Sequence, residues 1–137
     1  MATTGDVLFI ENFRFSDGTT GDKLVIVMHA GDLGMPFLLV KTTSHSRRYA
    51  GMQPGCSEKL KAFYMPAGSD GFPKDTYIQL HEVFAVDGLA MVEGHLSKRM
   101  RLLSRLPTQR FNELRNCLRR MKDDIPVQYF ELMFGRK

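Results

Sequence analysis

Only two cysteines occur in the 137 residues, Cys56 and Cys117, and neither has another Cys or a His at zinc-finger spacing. A structural metal site is therefore not supported. A disulfide between the two is sterically conceivable but not expected, because a reducing cytosol keeps thiols free. No apolar run approaches the roughly 20 residues needed to span a bilayer. The N-terminus lacks the basic start and continuous apolar region of a secretion signal. These absences point to the cytoplasm and away from the membrane. Internal repeats, low-complexity tracts and flexible linkers are missing too, so one domain over 1–137 is expected, long enough to bury a core without metal or disulfides.

Acidic residues are scarce in the last third of the chain. Up to Ser97, 8 Lys/Arg face 11 Asp/Glu; from Lys98 onward, 11 face 4. Such an excess marks a nucleic-acid surface, where cations displace counterions from phosphates, a helix with a solvated basic face, or an interface to an acidic partner. Two catalytic motifs are also absent. No serine sits in a Gly-x-Ser-x-Gly elbow, which excludes that hydrolase class. The segment SDGTTGDK lacks the Gly-Lys-Ser/Thr ending of a phosphate-binding loop and leads into a strand where a helix would be required.

What is present is a series of short apolar runs punctuated by turn formers. Strands are predicted at Asp6 to Ile10, Leu24 to His29, Phe37 to Thr42, Ala62 to Met65, Tyr77 to Leu80 and Val83 to Val86. The connections SDGTTGD, AGDLGMP, GMQPGCS and PAGSDGFP are rich in Gly, Pro, Asp and Ser, as links between short strands should be. GLAMVEGH, after Asp87, reads as a further strand or a loop. From Leu96 to Met121, leucines and methionines recur at helical intervals, with Leu102, Leu106, Phe111, Leu114 and Leu118 as candidate core positions. Pro107 splits this region, so the helix is placed at Thr108 to Met121, capped by Thr108 or begun by Pro107. Pro126 ends it and leaves an apolar tail, Val127 to Phe134, that must pack on the body or on a second subunit. Many short strands followed by a helix describe a small barrel or sandwich.

The opening stretch carries the strongest functional signal. VLFI and LVIVM are separated by a polar, glycine-rich loop that spans up to Asn12 to Lys23, longer than compact domains usually keep without a use. Phe13 and Phe15 alternate with Asn12 and Arg14. Core placement of the rings, with the polar residues facing out to line a groove, is preferred over base stacking.

The sequence resembles the MazF/Kid/PemK family of toxin-like endoribonucleases. The likeness rests on Gly5 and Asp6, the strand Val7 to Ile10, the glycine-rich loop, the basic Lys23, the strand Leu24 to Met28 and the hydroxyl cluster Thr42 to Ser44. It continues through YIQLHEVFAVD, Tyr77 to Asp87, to a C-terminal helix. The resemblance implies an SH3-like small β-barrel over about 5–95, a helical region over about 96–122, and a homodimer. It also implies sequence-selective cleavage of single-stranded RNA with no metal or organic cofactor, and an acidic antitoxin protein competing for the same groove. Catalysis would then fall to Lys23, Thr42, Thr43 and His81.

This chain departs from the family at Lys23, Gln79 and His81. Lys23 stands where the family has arginine and supplies charge without a bidentate fork. Gln79, Leu80 and His81 occupy the place of an Arg-x-Asp pair. His81 is either a proton-transfer group in place of the carboxylate or a partly exposed histidine beside Glu82. His45, with Ser44, Arg47 and Arg48, forms a short polar and basic segment that faces RNA or is a plain solvated loop. Asn12, Arg14, Ser44, His45, Arg47, Arg48 and Gln79 are the candidate substrate-binding residues. The alternative to an active enzyme is a silent member of the same family that binds RNA or a protein through that groove.

Overall fold

The apolar runs near the N-terminus are continuous rather than alternating, because the strands they form are covered on both faces. In a computed structural model that describes residues 2–14 and 18–135, strand β1 (Asp6–Arg14) pairs antiparallel with β2 (Thr20–His29), and β2 with β3 (Phe37–Thr43). Side chains at Val7, Ile26, Met28, Leu38 and Val40 enter one hydrophobic cluster; Leu8, Ile10, Val25, Val27, Phe37 and Leu39 enter another. The period-2 alternation of a strand sends successive residues to the two sides.

The second edge of β3 is shared. Its first half pairs with β7 (Phe84–Val86), and Thr42 and Thr43 pair with β6 (Thr76–Gln79). β6 continues to β5 (Ala62–Met65) and β4 (Gly55–Ser57). β8 (Met100–Arg105) pairs with β1 at the other end, giving one eight-stranded sheet of order β4-β5-β6-β3-β2-β1-β8, with β7 beside β3. The sheet is not closed into a barrel.

Three helices cover it. α1 (Gly88–Leu96) sends Met91 into the cluster of Leu8 and Val25, whereas α2 (Thr108–Arg119) and α3 (Val127–Phe134) cover the opposite face. On α2, Leu114, Cys117 and Leu118 follow the i, i+3, i+4 spacing of a buried stripe. Pro107 precedes α2 with an extended backbone, and its carbonyl accepts the first helical bond, from Phe111 N–H at 2.9 Å. No side chain caps this end.

Several expectations are corrected. GLAMVEGH is helix α1, capped by the Asp87 carboxylate, which accepts from Ala90 N–H at 2.8 Å. Its glycines answer to packing: a Cβ on Gly88 would collide with the backbone carbonyl of Asp32, and one on Gly94 with Met100. Residues 100–105 are not helical but strand β8, because Lys98 takes a left-handed conformation (φ 66°) that turns the chain back along β1. Leu102 lies there with 54% of its surface exposed and is not core.

The 127–134 tail is a helix packed on its own chain. Met133 is buried, Phe134 lies under the guanidinium groups of Arg115 and Arg119 at 4.8 and 5.0 Å, and Arg115 Nη2 donates to the Met133 carbonyl at 2.7 Å. The expected loop from Asn12 to Lys23 is mostly strand. A β-bulge lies between Ile10 and Phe13, and Asn12 in it has φ 57°. Phe13 is core, edge-on to Phe84 at 5.1 Å, while Phe15 lies outside the described residues.

Cys56 and Cys117 form a disulfide, contrary to expectation. The packing of α2 against β4 brings their Cα atoms to 5.6 Å, within bridging range, although 61 residues separate them in sequence.

Candidate functional site

Where β2 and β3 leave their ladder, two side-chain bonds replace it. Lys23 Nζ donates to the Thr42 carbonyl at 2.7 Å, and Thr42 Oγ1 donates to the Leu24 carbonyl at 3.0 Å. Thr42 is buried, so its hydroxyl braces the sheet. Partial burial, and then the charge of Lys41, lower the pKa of the Lys23 amine. Beyond Thr42 the hydroxyls become accessible: Ser44 is exposed, and Thr43 Oγ1 accepts from His45 N–H at 3.2 Å, which sets the start of the next segment.

Two cavities meet on this segment. The first, of about 340 Å³, is walled by Lys23, Thr42, Thr43, Ser44 and His45 on one side and by Phe72, Pro73, Lys74 and Thr76 on the other, with Asp22 in its lining. The second, of about 440 Å³, is lined by Thr43, His45, Arg47, Arg48, Tyr49 and Gln79. Thr43 and His45 belong to both. Two lysines and two arginines thus line a cleft of two adjacent cavities, in which Asp22 is the one lining carboxylate.

The arginine pair rides on a single turn, Arg47–Tyr49, anchored by its last residue. Tyr49 is 2% exposed and stacks on Tyr77 at 4.7 Å, which stacks on Tyr64 at 4.7 Å. Gln79 Nε2 donates to the Tyr49 hydroxyl at 3.2 Å. The anchor holds the turn while leaving Arg47 and Arg48 exposed to solvent. At the far end of the stack, partial desolvation and then a hydrogen bond with Asp75 raise the pKa of the Tyr64 phenol.

The cleft therefore gathers Lys23, Thr42, Thr43, Ser44, His45, Arg47, Arg48 and Gln79. It does not gather three other candidates. Arg14 pairs with Thr20 at the outer end of the β1–β2 hairpin and lines neither cavity. Asn12 reaches the cleft only through its backbone, its N–H donating to Asp22 Oδ1 at 3.2 Å. His81 follows β6, outside both linings. Asp22, Tyr49, Phe72, Pro73 and Lys74 carry no local signature in the sequence; only the folding of the 66–75 connection toward β2 and β3 makes the last three wall residues. Among the described residues no three His, Cys, Asp or Glu side chains are grouped to hold a metal ion, and no helix is long and apolar enough to cross a membrane.

Partial burial pushes the pKa of His81 below the ordinary histidine value. Lys41 lowers it further, Arg48 and Lys61 act in the same direction, and Glu82 opposes them. A histidine whose folded value is depressed contributes stability that is fully present above its unfolded value, about 6.5, and lost as pH falls through the folded value. Urea midpoints measured from pH 8 to pH 5 should show this acid-side loss in the wild type and a smaller one in His81→Gln. Equal slopes for the two proteins would contradict it.

No protein-family model matches the chain, and a search of the curated proteins finds no match.

Proposed function

We propose that the protein is a toxin-like, metal-independent endoribonuclease of the MazF/PemK kind, acting on single-stranded RNA in the cleft. The observation that carries this reading is the sharing of Thr43 and His45 between two cavities otherwise lined by Lys23, Lys74, Arg47 and Arg48. Such a cleft suits a polyanionic strand with one phosphate held at its middle. There His45 takes the proton of a ribose 2′-hydroxyl, the 2′-oxygen attacks the adjacent phosphorus, and the 5′-oxygen leaves with a proton from water, whose hydroxide recovers the proton held by His45. The products are a 2′,3′-cyclic phosphate and a 5′-hydroxyl. Lys23, Arg47 and Arg48 offset the charge of the phosphorane, and Thr43 and Ser44 hydrogen-bond the sugar-phosphate.

The same reading carries an SH3-like arrangement of the strands, a homodimer, a cytoplasmic site of action and an antitoxin that covers the cleft. A second reading, binding of RNA without cleavage, draws on the Lys23 amine being already engaged by the Thr42 carbonyl.

Incubation of a long mixed-sequence RNA with the protein in EDTA tests both. Discrete fragments ending in cyclic phosphate are expected from the wild type. Arg47→Ala combined with Arg48→Ala should weaken binding for all sequences and reduce the salt slope by about 1.4, the value for two phosphate contacts to a single strand. Intact RNA that is still bound in a salt-dependent way would leave the binding-only reading in place. Intact, unbound RNA would end both.

A further inference from the structure

A carboxylate is out of place in a cleft that receives phosphates, and Asp22 is held there by the backbone. The β-bulge in β1 turns the Asn12 N–H toward β2, where it donates to Asp22 Oδ1 at 3.2 Å. Asn12 adopts a left-handed conformation to do so, which few side chains tolerate. Bulges of this kind recur next to functional sites, where they re-aim a side chain. Asp22 is exposed, lines the first cavity next to Lys23, and faces a wall that includes Phe72 and the exposed ring of Pro73.

A phosphate cannot sit against this carboxylate without repulsion, so the group that meets Asp22 must be a hydrogen-bond donor. Of the four RNA bases, guanine alone presents two adjacent donors on its pairing edge, N1–H and N2–H, matched to the two oxygens of one carboxylate. Adenine and cytosine place a bare ring nitrogen beside their amino group, and uracil flanks its single N–H with two carbonyl oxygens. Each of those lone pairs would face the carboxylate. The Pro73 ring adds an apolar surface against which a base can lie. We infer that Asp22 is a specificity-determining residue that selects a guanine in the strand, in the cavity that His45 also lines. This inference rests on the RNA reading above and deepens it.

The test uses inosine, which lacks only the 2-amino group of guanine. Matched single-stranded oligonucleotides carrying guanosine or inosine are compared for binding by anisotropy and for cleavage, with wild type, Asp22→Asn and Asp22→Ala. Asn at 22 can still accept from Asn12 N–H, so it keeps the bulge while removing one acceptor and the charge. The wild type should favour guanosine over inosine by about tenfold, within the usual range for a bidentate base contact. In both variants the ratio should fall to about one. A wild-type ratio near one, or an unchanged ratio in Asp22→Asn and Asp22→Ala, overturns the proposal. Discrimination in binding without cleavage would support Asp22 as the guanine reader while overturning the endoribonuclease assignment.

Discussion

Replacing Cys56 and Cys117 together by serine, or reducing the bridge, will lower the stability of the chain by about 4 kcal/mol, the loop-entropy value for a closure of this length. The two residues are 61 apart, so opening the bridge releases a long loop in the unfolded state. The corresponding fall in Tm is on the order of 10 °C for a domain of this size. What the bridge ties down explains why the loss should also be felt locally. β4 is three residues long, ends the sheet, and pairs only with β5. It is also where the chain returns from the turn carrying Arg47 and Arg48.

Thermal melts of wild type and the double serine variant, each with and without a phosphine reductant, check this. Reductant should lower the wild-type Tm to that of the variant and leave the variant unmoved. A difference below about 1 kcal/mol would show that β4 and α2 hold together by packing alone. The result also bears on compartment. A cytosol that keeps thiols reduced would hold the protein in its weaker form, so the expectation of a free-thiol cytoplasmic protein and the bridged structure describe two different stabilities.

The fold was legible where burial is two-sided. VLFI, LVIVM and FLLV are almost wholly buried because β1, β2 and β3 have a hydrophobic cluster on each face, and β5 falls at the expected Ala62–Met65, with Phe63 and Met65 in the cluster under α2 and α3 and Ala62 against Tyr49 and Tyr77. It was illegible where one tertiary contact decides. Gly88 and Gly94 look like helix breakers, yet they are the residues that let α1 pass under Asp32 and Met100. Leu102 and Leu103 fit a helical period as well as a strand, and only the pairing with β1 makes them β8. Within the site, Lys23 and the hydroxyl run were visible because the first directly precedes the apolar run LVIVM and the second closes the strand that begins FLLV. Asp22 was not singled out, for its role depends on a bulge ten residues away in β1. Lys74 was hidden in a connection whose sequence says only that it turns.

On the endoribonuclease reading proposed above, His45→Ala is expected to reduce RNA cleavage by roughly two to four orders of magnitude, the range for loss of a general acid–base group, and His81→Ala by far less. The case for His81 is electrostatic: partial desolvation and Lys41 lower its pKa, which favours the neutral form a base needs. Geometry outweighs it, since a base must stand within hydrogen-bond reach of the proton it takes. His45 lines both halves of the cleft, and its backbone is bonded to the Thr43 hydroxyl. His81 lines neither half, and its neighbours Lys41, Arg48 and Lys61 make it part of a basic margin.

Single-turnover cleavage separates the two roles, because removing the proton-transfer group lowers the rate at saturating protein while removing a marginal cation weakens binding. His45→Ala should therefore bind RNA nearly as tightly as the wild type and cut it slowly. If His81→Ala instead shows the larger loss in rate at saturation, proton transfer belongs to the residue that replaces the Arg-x-Asp carboxylate, and the reacting phosphate must lie within reach of His81 rather than between Thr43 and Lys23.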